Sequence, residues 1–257
     1  MRRQRALRGF WIFGGVVLVL IFVFAGLARI SYFRIKNVAI EGNATLGSEE
    51  LMSGVLGAMT GNYFLIFPKN NILLASSGEI ETKILNDFPR VKSISISKNL
   101  PGSLSVKIEE RKSTALLCRD APPAGECYFL DENGFAFEKS PYFSGNIFIK
   151  FTDERNVGNS VSDTGQLISE EQFKGLMALI DSASGNGVEI TDVVLKKEGI
   201  YNLNTQEGWK IILSERNDLK IAADNLRITL ESKIKDKRPT LEYIDLRLAN
   251  KVFYKFK

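Results

Sequence analysis

The longest apolar stretch of the chain is an uncharged run of 19 residues, FWIFGGVVLVLIFVFAGLA, from Phe10 to Ala28. At 1.5 Å per helical residue this run spans roughly 28 Å, close to the ~30 Å hydrocarbon core of a bilayer. It predicts a transmembrane helix over residues 10–28, preceded by a short tail over residues 1–9.

A second interpretation of this run is a cleaved signal peptide, because Gly26 and Ala28 loosely resemble a small-residue cleavage site. Signal h-regions are about 7–15 residues long, so the length favours an uncleaved anchor. Four arginines lie within the first eight residues, whereas Arg29, Arg34 and Lys36 follow the run. The positive-inside rule therefore predicts a single-pass protein of the cell (inner) membrane, with a cytoplasmic N-terminus and the bulk of the chain outside the cytoplasm.

Residues 34–111 predict a first domain with the order strand, helix, helix, strand, strand. The first strand alternates at Val38 and Ile40, and Ser48 is the expected N-cap of the first helix. A second helix is expected over about residues 72–85, with a weak middle at residues 76–78. Two runs of alternating residues then flank an Asn-Leu-Pro-Gly turn, which is typical of a β-hairpin with one buried face.

Residues 112–257 predict a second domain in which short strands surround two amphipathic helices. A turn is expected at residues 130–134. The predicted strands are Thr114–Cys118, Tyr128–Leu130, Ile147–Phe151, Ile190–Lys196, Tyr201–Thr205 and Lys210–Leu213. The apolar helix stripes are Phe173, Leu176, Met177, Ile180 and Ala183, then Leu219, Ala222, Ala223, Leu226, Leu230 and Ile234. Both stripes fit core packing better than binding, and the domain is expected to be α+β, an antiparallel sheet with helices.

The last segment, from Leu241 to Lys257, consists of two alternating runs separated by Ala249-Asn250. Ile244, Leu246 and Leu248 alternate with polar residues in the first run. Aromatic residues and lysines dominate the second. The pattern predicts two closing strands joined by a tight turn.

An extracytoplasmic location permits a disulfide between the two cysteines, Cys118 and Cys127. They border the segment RDAPPAGE, which has the composition of a turn, so a cross-strand disulfide is expected. The alternative is two unpaired cysteines that act as small apolar residues.

The composition of the chain limits the kinds of ligand and catalytic site that it could form. The four N-terminal arginines account for the net charge of +4, so the rest of the chain is electrically balanced and nucleic-acid binding has no support. The sequence has no histidine, which excludes histidine-dependent catalytic triads and histidine metal ligands. Two thiols alone cannot build a structural zinc site. No glycine-rich phosphate loop occurs. We expect no enzyme activity, cofactor, metal or small-molecule substrate.

Several segments resemble the FtsQ/DivIB family of cell division proteins. VAIEGN, GNYF and FPRVKSISISKNLPGSLSVKIEER resemble a POTRA domain of the FtsQ type, a βααββ unit that follows the transmembrane helix. YIDLR and the aromatic strand after it resemble the closing segment of the family. The alternative for Glu110 and Arg111, at the end of the POTRA pattern, is a solvated strand end.

The resemblance implies a non-catalytic connector at the division site, which couples early to late division proteins during septation. FtsB-like and FtsL-like coiled-coil partners would add a strand to the exposed edge of the last strands. By the same resemblance Arg247 would pair with an acidic side chain of the partner. The implied partner-binding residues are Tyr243, Asp245, Arg247, Leu248, Asn250, Val252, Phe253 and Tyr254.

Other interpretations of these residues stay open. Arg247 could bond to Asp245 within its own sheet, and Phe253 or Tyr254 could fill the protein's own core. Leu248, where the family often has an aromatic residue, and the basic end at residues 255–257 depart from the family pattern. The resemblance also implies an upstream division partner for the POTRA domain. The alternative function is that of a POTRA-containing protein of envelope assembly or secretion.

Overall fold

A computed structural model describes residues 2–118, 126–143, 145, 147–155 and 164–257, with side chains from Trp11 onward. The chain divides into two compact units, the first ending at Glu110 and the second beginning at Arg111.

The first unit begins with helix α1, Arg2–Ala28. Its segment Trp11–Ala28 has a mean hydropathy of 2.6, and only 6% of the segment is buried against the rest of the protein. By length and composition it is therefore able to cross a membrane. The two buried side chains near its end are Ala25 and Ala28, whose small size permits close packing.

The rest of the first unit is a three-stranded sheet with two helices. Its strand order is β1-β5-β4, with β1 parallel to β5 and β5 antiparallel to β4. The elements are β1 Asn37–Glu41, α2 Ser48–Ala58, β2 Asn62–Tyr63, β3 Phe67–Pro68, α3 Ser77–Asp87, β4 Val91–Asn99 and β5 Ser103–Glu110. Strands β2 and β3 form a separate small hairpin. The predicted βααββ order and the β4–β5 hairpin are confirmed.

The core of this unit follows from the predicted periodicities. Alternate residues of β5 point at the helices, and their apolar side chains meet the apolar stripes of α2 and α3. The most deeply buried side chains are Leu51, Val55, Ile72, Ile80, Ile84, Val91, Leu104 and Val106.

Both predicted helix starts in this unit are wrong. The N-cap of α2 is Gly47, and Ser48 is already the first helical residue. Helix α3 starts at Ser77 rather than near Ile72, because the Ser76 hydroxyl accepts a hydrogen bond from the backbone N–H of Glu79. The predicted weak middle is thus a capping sequence, Ser-x-x-Glu, that begins the helix.

The second unit contains one sheet of ten described strands, in the order β10-β8-β7-β6-β9-β11-β12-β13-β14-β15. The strands are β6 Ala115–Cys118, β7 Cys127–Leu130, β8 Phe135–Lys139, β9 Ile149–Asp153, β10 Gly165–Gln166, β11 Ile190–Lys196, β12 Ile200–Thr205, β13 Lys210–Ser214, β14 Leu241–Leu248 and β15 Lys251–Phe256. The helices are α4 Glu170–Gly185 and α5 Leu219–Thr229.

This sheet is mainly antiparallel, as predicted, but β9 runs parallel to β6 and β11, and β13 runs parallel to β14. Parallel neighbours need a crossover connection. Helix α4 lies in the connection between β9 and β11, α5 in that between β13 and β14, and the strands β7 and β8 lie between β6 and β9 in the sequence. Both helix stripes pack into the core, which confirms the core-packing interpretation. The second helix ends at Thr229, and Leu230–Ile234 form a π-helical turn.

All the predicted strands of this unit are present, and most have ends shifted by one or two residues. The strand expected at Ile147–Phe151 lies at Ile149–Asp153, and β8 and β10 were not predicted. The predicted turn at 130–134 joins β7 to β8, where Gly134 has a φ of 77°. In the expected turn RDAPPAGE, residues 119–125 lie outside the described residues.

Candidate partner-binding edge

The last two strands form a hairpin at one end of the ten-stranded sheet. Strand β15 pairs with β14 on one side, and no other strand of the described residues pairs with it on the other side. One row of backbone N–H and C=O groups along β15 is therefore free to bond to a further strand.

Alternation along β15 puts Val252, Tyr254 and Phe256 on the face that meets the core and Phe253 on the opposite face. Val252 and Phe256 are half-buried and pack against the core of the second unit. Phe253 is 52% exposed and Tyr254 is 41% exposed, so neither ring fills the protein's own core. The edge strand thus presents two aromatic rings to its surroundings.

Strand β14 is irregular at two places where its pairing with β15 shifts register, between Leu241 and Tyr243 and between Asp245 and Leu248. A bulge inserts an extra residue and re-aims the side chains that follow. As a result Arg247 and Leu248, which are consecutive, are both exposed.

Arg247 is bonded to Asp245 of its own strand. Its Nε lies 2.9 Å from Oδ1 and 3.1 Å from Oδ2, its Nη2 lies 2.6 Å from Oδ2, and its backbone N–H also donates to Oδ1. Partial burial opposes ionisation of Asp245, but these hydrogen bonds outweigh it and hold the pKa of Asp245 below its ordinary value. The same bonds raise the pKa of Arg247.

The structure brings the predicted site residues together on the β14–β15 hairpin and its connecting turn. Tyr243 and Asp245 are half-buried, whereas Arg247, Leu248 and Asn250 are exposed. The remaining members are Val252, Phe253 and Tyr254, described above. Their pairing with a partner is not visible in the unbound chain and stays a prediction.

Three other residues at this edge, Glu242, Lys255 and Asn217, make interactions that the sequence did not predict. Lys255 forms an ion pair of 2.7 Å with Glu242 across the hairpin. Asn217 donates from Nδ2 to the backbone oxygen of Leu246 at 3.0 Å and so holds the end of β14. The only sequence signal for Asn217 was its place just before Asp218, which caps α5.

The family model "POTRA domain, FtsQ-type" matches residues 33–111. The cell division protein DivIB of Clostridium acetobutylicum is 27% identical over 168 residues, which cover 64% of this chain and 61% of that protein. The cell division protein FtsQ of Syntrophotalea carbinolica is 21% identical over 246 residues, which cover 94% of this chain and 80% of that protein.

This chain belongs to the FtsQ/DivIB family of cell division proteins. The match to the Clostridium DivIB spans less than two thirds of that protein, whereas the match to the FtsQ protein runs over almost the whole chain. The apolar helix α1 before the POTRA domain agrees with a single-pass membrane protein of this family.

The POTRA domain of this FtsQ/DivIB chain ends in a carboxylate that holds a distant loop. Glu110 accepts hydrogen bonds from the backbone N–H groups of Ala44, Thr45 and Leu46 at 2.7–3.0 Å. Partial burial opposes ionisation, but the three N–H groups outweigh it and keep the pKa of Glu110 below its ordinary value. Glu110 is therefore not a solvated strand end.

The next residue, Arg111, belongs to the second unit and also has a structural partner. Its Nη1 donates to the carboxylate of Asp131, which is completely buried, and its guanidinium lies over the ring of Phe135 at 4.1 Å. Asp131 also accepts from the backbone N–H groups of Asn133 and Phe135. This cluster determines the β7–β8 turn.

Cys118 and Cys127 face each other at the paired ends of β6 and β7 and are joined by a disulfide. Among the residues that the structure describes, no three histidine, cysteine, aspartate or glutamate side chains are grouped to hold a metal ion.

Proposed function

We propose that this FtsQ/DivIB protein is a non-catalytic connector of the division machinery. It binds FtsB-like and FtsL-like coiled-coil proteins outside the cytoplasm and couples early to late division proteins during septation. Residues 112–257 carry this binding, and the POTRA domain, residues 34–111, receives an upstream division protein.

The observation that carries the proposal is the free edge of β15. A partner strand would satisfy the unpaired backbone groups of this edge, and alternate side chains would provide specificity. Phe253 and Tyr254 are aromatic residues of the kind that dominate binding energy in interfaces, and they are exposed without a partner strand in the described chain.

The ion pair between Arg247 and Asp245 prepares this edge for an acidic partner residue. Asp245 bonds to Nε and Nη2 of the guanidinium, and no acceptor among the described residues bonds to Nη1. A guanidinium has five N–H donors in a rigid plane, so it is able to keep Asp245 while it binds a second carboxylate. The intramolecular pair and the predicted intermolecular pair are therefore compatible.

The membrane topology in this proposal rests on charge. The four arginines within the first eight residues favour a cytoplasmic N-terminus, which puts the POTRA domain and the second unit on the outer side of the membrane. The division site is then the expected location, because the partners of the connector assemble there.

The test is a binding measurement with the full chain in nanodiscs and the extracytoplasmic segment of an FtsB-like protein from the same organism. Arg247→Glu should weaken binding by about 30-fold or more, or ~2 kcal/mol, because it removes one partner of a charge pair at an interface. Lys174→Glu is the matched control, since Lys174 lies on α4, away from the β14–β15 hairpin in the sequence, and forms an exposed pair with Glu170.

The binding measurement separates the location of the site from the function itself. Unchanged binding in Arg247→Glu would keep the connector function but move the site away from β14. Absence of binding by the folded wild-type chain would contradict the proposal and favour the alternative, a POTRA-containing protein of envelope assembly or secretion.

A further inference from the structure

The hairpin β2–β3 of the POTRA domain presents two large apolar side chains at its tip. Phe64 is 88% exposed and Leu65 is 89% exposed. Side chains of this size at a loop tip cost solubility unless an apolar environment receives them.

The backbone of this turn makes its sequence more unusual. Phe64 and Leu65 have φ values of 46° and 63°, and the backbone N–H of Ile66 donates to the carbonyl oxygen of Tyr63 at 3.1 Å. Two consecutive left-handed residues closed by such a bond form a type I′ turn, which in water favours Asn-Gly. Residues with bulky side chains rarely adopt this conformation, and here they take both central positions.

The position of the turn follows from contacts with α1. The Asn71 side chain donates to the backbone oxygen of Ala28 at 2.7 Å, at the end of the apolar helix. Phe67, four residues earlier, packs its ring edge-on against Phe24 with 6.1 Å between the ring centroids. Phe24 lies about one helical turn, ~5–6 Å, deeper in the apolar segment than Ala28. The chain between Asn71 and Phe67 therefore runs along α1 toward the middle of the membrane span, and the tip residues Phe64 and Leu65 are two to three positions from Phe67 in the sequence.

Polar groups around the hairpin fit this depth. Arg29, the first charged residue after the apolar segment, donates to the backbone oxygen of Ile66 at 3.4 Å. The Lys69 ammonium lies 4.8 Å from the centre of the Tyr63 ring and bonds to Glu79. Tyrosine, lysine and arginine are the residues that anchor proteins at the membrane–water interface.

We propose that the Phe64-Leu65 tip inserts into the extracytoplasmic leaflet of the bilayer that α1 crosses. The contacts favour lipid as the environment of the tip, because Phe67, two residues after Leu65, packs against Phe24 on the apolar surface of α1. Insertion would reach ~5–10 Å into the boundary between headgroups and acyl chains. It would fix the POTRA domain at the membrane surface by a second point in addition to its covalent link.

The test uses site-specific fluorescent labelling of the full chain, reconstituted as one copy per nanodisc. The two native cysteines are joined in a disulfide, so one introduced cysteine carries the polarity-sensitive dye NBD. Leu65→Cys reports on the tip. Val17→Cys, within α1, is the positive control for membrane insertion, and Ala44→Cys, exposed beyond the far end of β1, is the aqueous control.

The expected result is quenching of the dye at position 65 by lipids that carry a nitroxide on their acyl chain, severalfold stronger than at position 44. Aqueous iodide should show the reverse order. Adding Phe64→Asp should reduce the lipid quenching at position 65 severalfold, because a charge at the tip opposes insertion.

Two results would overturn the proposal. If iodide quenches position 65 as well as position 44 while lipid still quenches position 17, the anchor is inserted and the tip lies in water. If neither quencher reaches position 65 in single-copy discs, the tip is covered by protein. Neither result depends on the division partners, so failure here is separate from failure of the proposed function.

Discussion

The guanidinium of Arg247 is held by the carboxylate of Asp245 on the same strand, with Nη2 2.6 Å from Oδ2. If Asp245 orients Arg247 for a partner, its loss should weaken binding. If Asp245 competes with the partner's acid, its loss should strengthen binding.

We predict that Asp245→Asn weakens binding of an FtsB-like segment by about 0.5–1 kcal/mol, the size of an exposed ion-pair effect. Titration calorimetry with the full chain measures it. Glu231→Gln, in the π-helical turn after α5, removes the same charge from an exposed pair and should leave the affinity unchanged. Tighter binding by Asp245→Asn would show competition instead.

The aromatic residues of β15 should separate binding from folding. Phe253→Ala is expected to lower partner affinity by about 1–2 kcal/mol, because exposed aromatic rings supply much of the energy of interfaces. It should change the free energy of unfolding by only about 0.5 kcal/mol, since the ring is 52% exposed. Phe256→Ala is the contrast, because its ring packs on the core, and it should cost about 2 kcal/mol of stability.

These stabilities can be measured by denaturant unfolding in a Trp11→Phe background. The chain has two tryptophans, so buried Trp209 then reports on the second unit alone. A Phe253→Ala variant as unstable as Phe256→Ala would contradict the assignment of Phe253 to the binding face.

Asp131 should be among the most sensitive positions of the second unit. Asp131→Ala removes the buried carboxylate to which Arg111 donates and frees the N–H groups of Asn133 and Phe135, at an expected cost of about 3 kcal/mol. Asp131→Asn keeps a side-chain oxygen for the two N–H groups and should cost less. Equal losses for the two variants would assign the whole effect to the charge.

The carboxylate of Glu110 should make the loop of residues 44–46 sensitive to acid. Because its pKa is lower in the folded protein than in the unfolded chain, its stabilisation is complete above the ordinary value of 4.5 and is lost as pH falls through the folded pKa. Amide hydrogen exchange, referenced to the unfolded chain at each pH, measures the protection of Ala44, Thr45 and Leu46.

In Glu110→Gln this protection should be lower at neutral pH and should no longer fall with acid. Glu109→Gln is the neighbouring control, because among the described residues Glu109 bonds to the side chains of Lys92 and Ser93 and not to the loop of residues 44–46. The Glu110 mechanism is excluded if both variants behave like the wild type.

The disulfide is expected to form in the native compartment and to stabilise the second unit. Thiol titration of the unfolded chain should find no free thiol. The double variant Cys118→Ser/Cys127→Ser should lose roughly 2–3 kcal/mol, because the bond closes a short loop, with a sequence separation of 9. Two free thiols in the wild type would refute the prediction.

The elements that the sequence predicted well are those with a local periodicity. The β4–β5 hairpin alternates strictly, and α4 repeats its apolar residues at helical spacing, so each pattern has one structural solution. Strand β8 was missed because Phe135-Ala136-Phe137 does not alternate. The predicted start of helix α3 was too early, because Ile72 is a buried apolar residue that lies before the helix and not within it.

The candidate site was predicted only as a segment. YIDLR and the aromatic strand marked residues 243–254, but nothing local indicated the register shift beside Asp245 that exposes Arg247 and Leu248 together. Nor did the sequence indicate that Asn217 holds the end of β14. Asn217 donates to the backbone oxygen of Leu246, which is 29 positions away in the sequence.

By itself the sequence determined the membrane-spanning run, the order of most strands and helices and the family resemblance, since side-chain periodicity and turn chemistry act between near neighbours. Only the tertiary structure decided which strand forms the free edge, which strands run parallel, and that Phe67 packs against Phe24 of α1. These features depend on backbone pairing and packing between segments far apart in the chain, and a local pattern of polar and apolar residues does not specify such pairing.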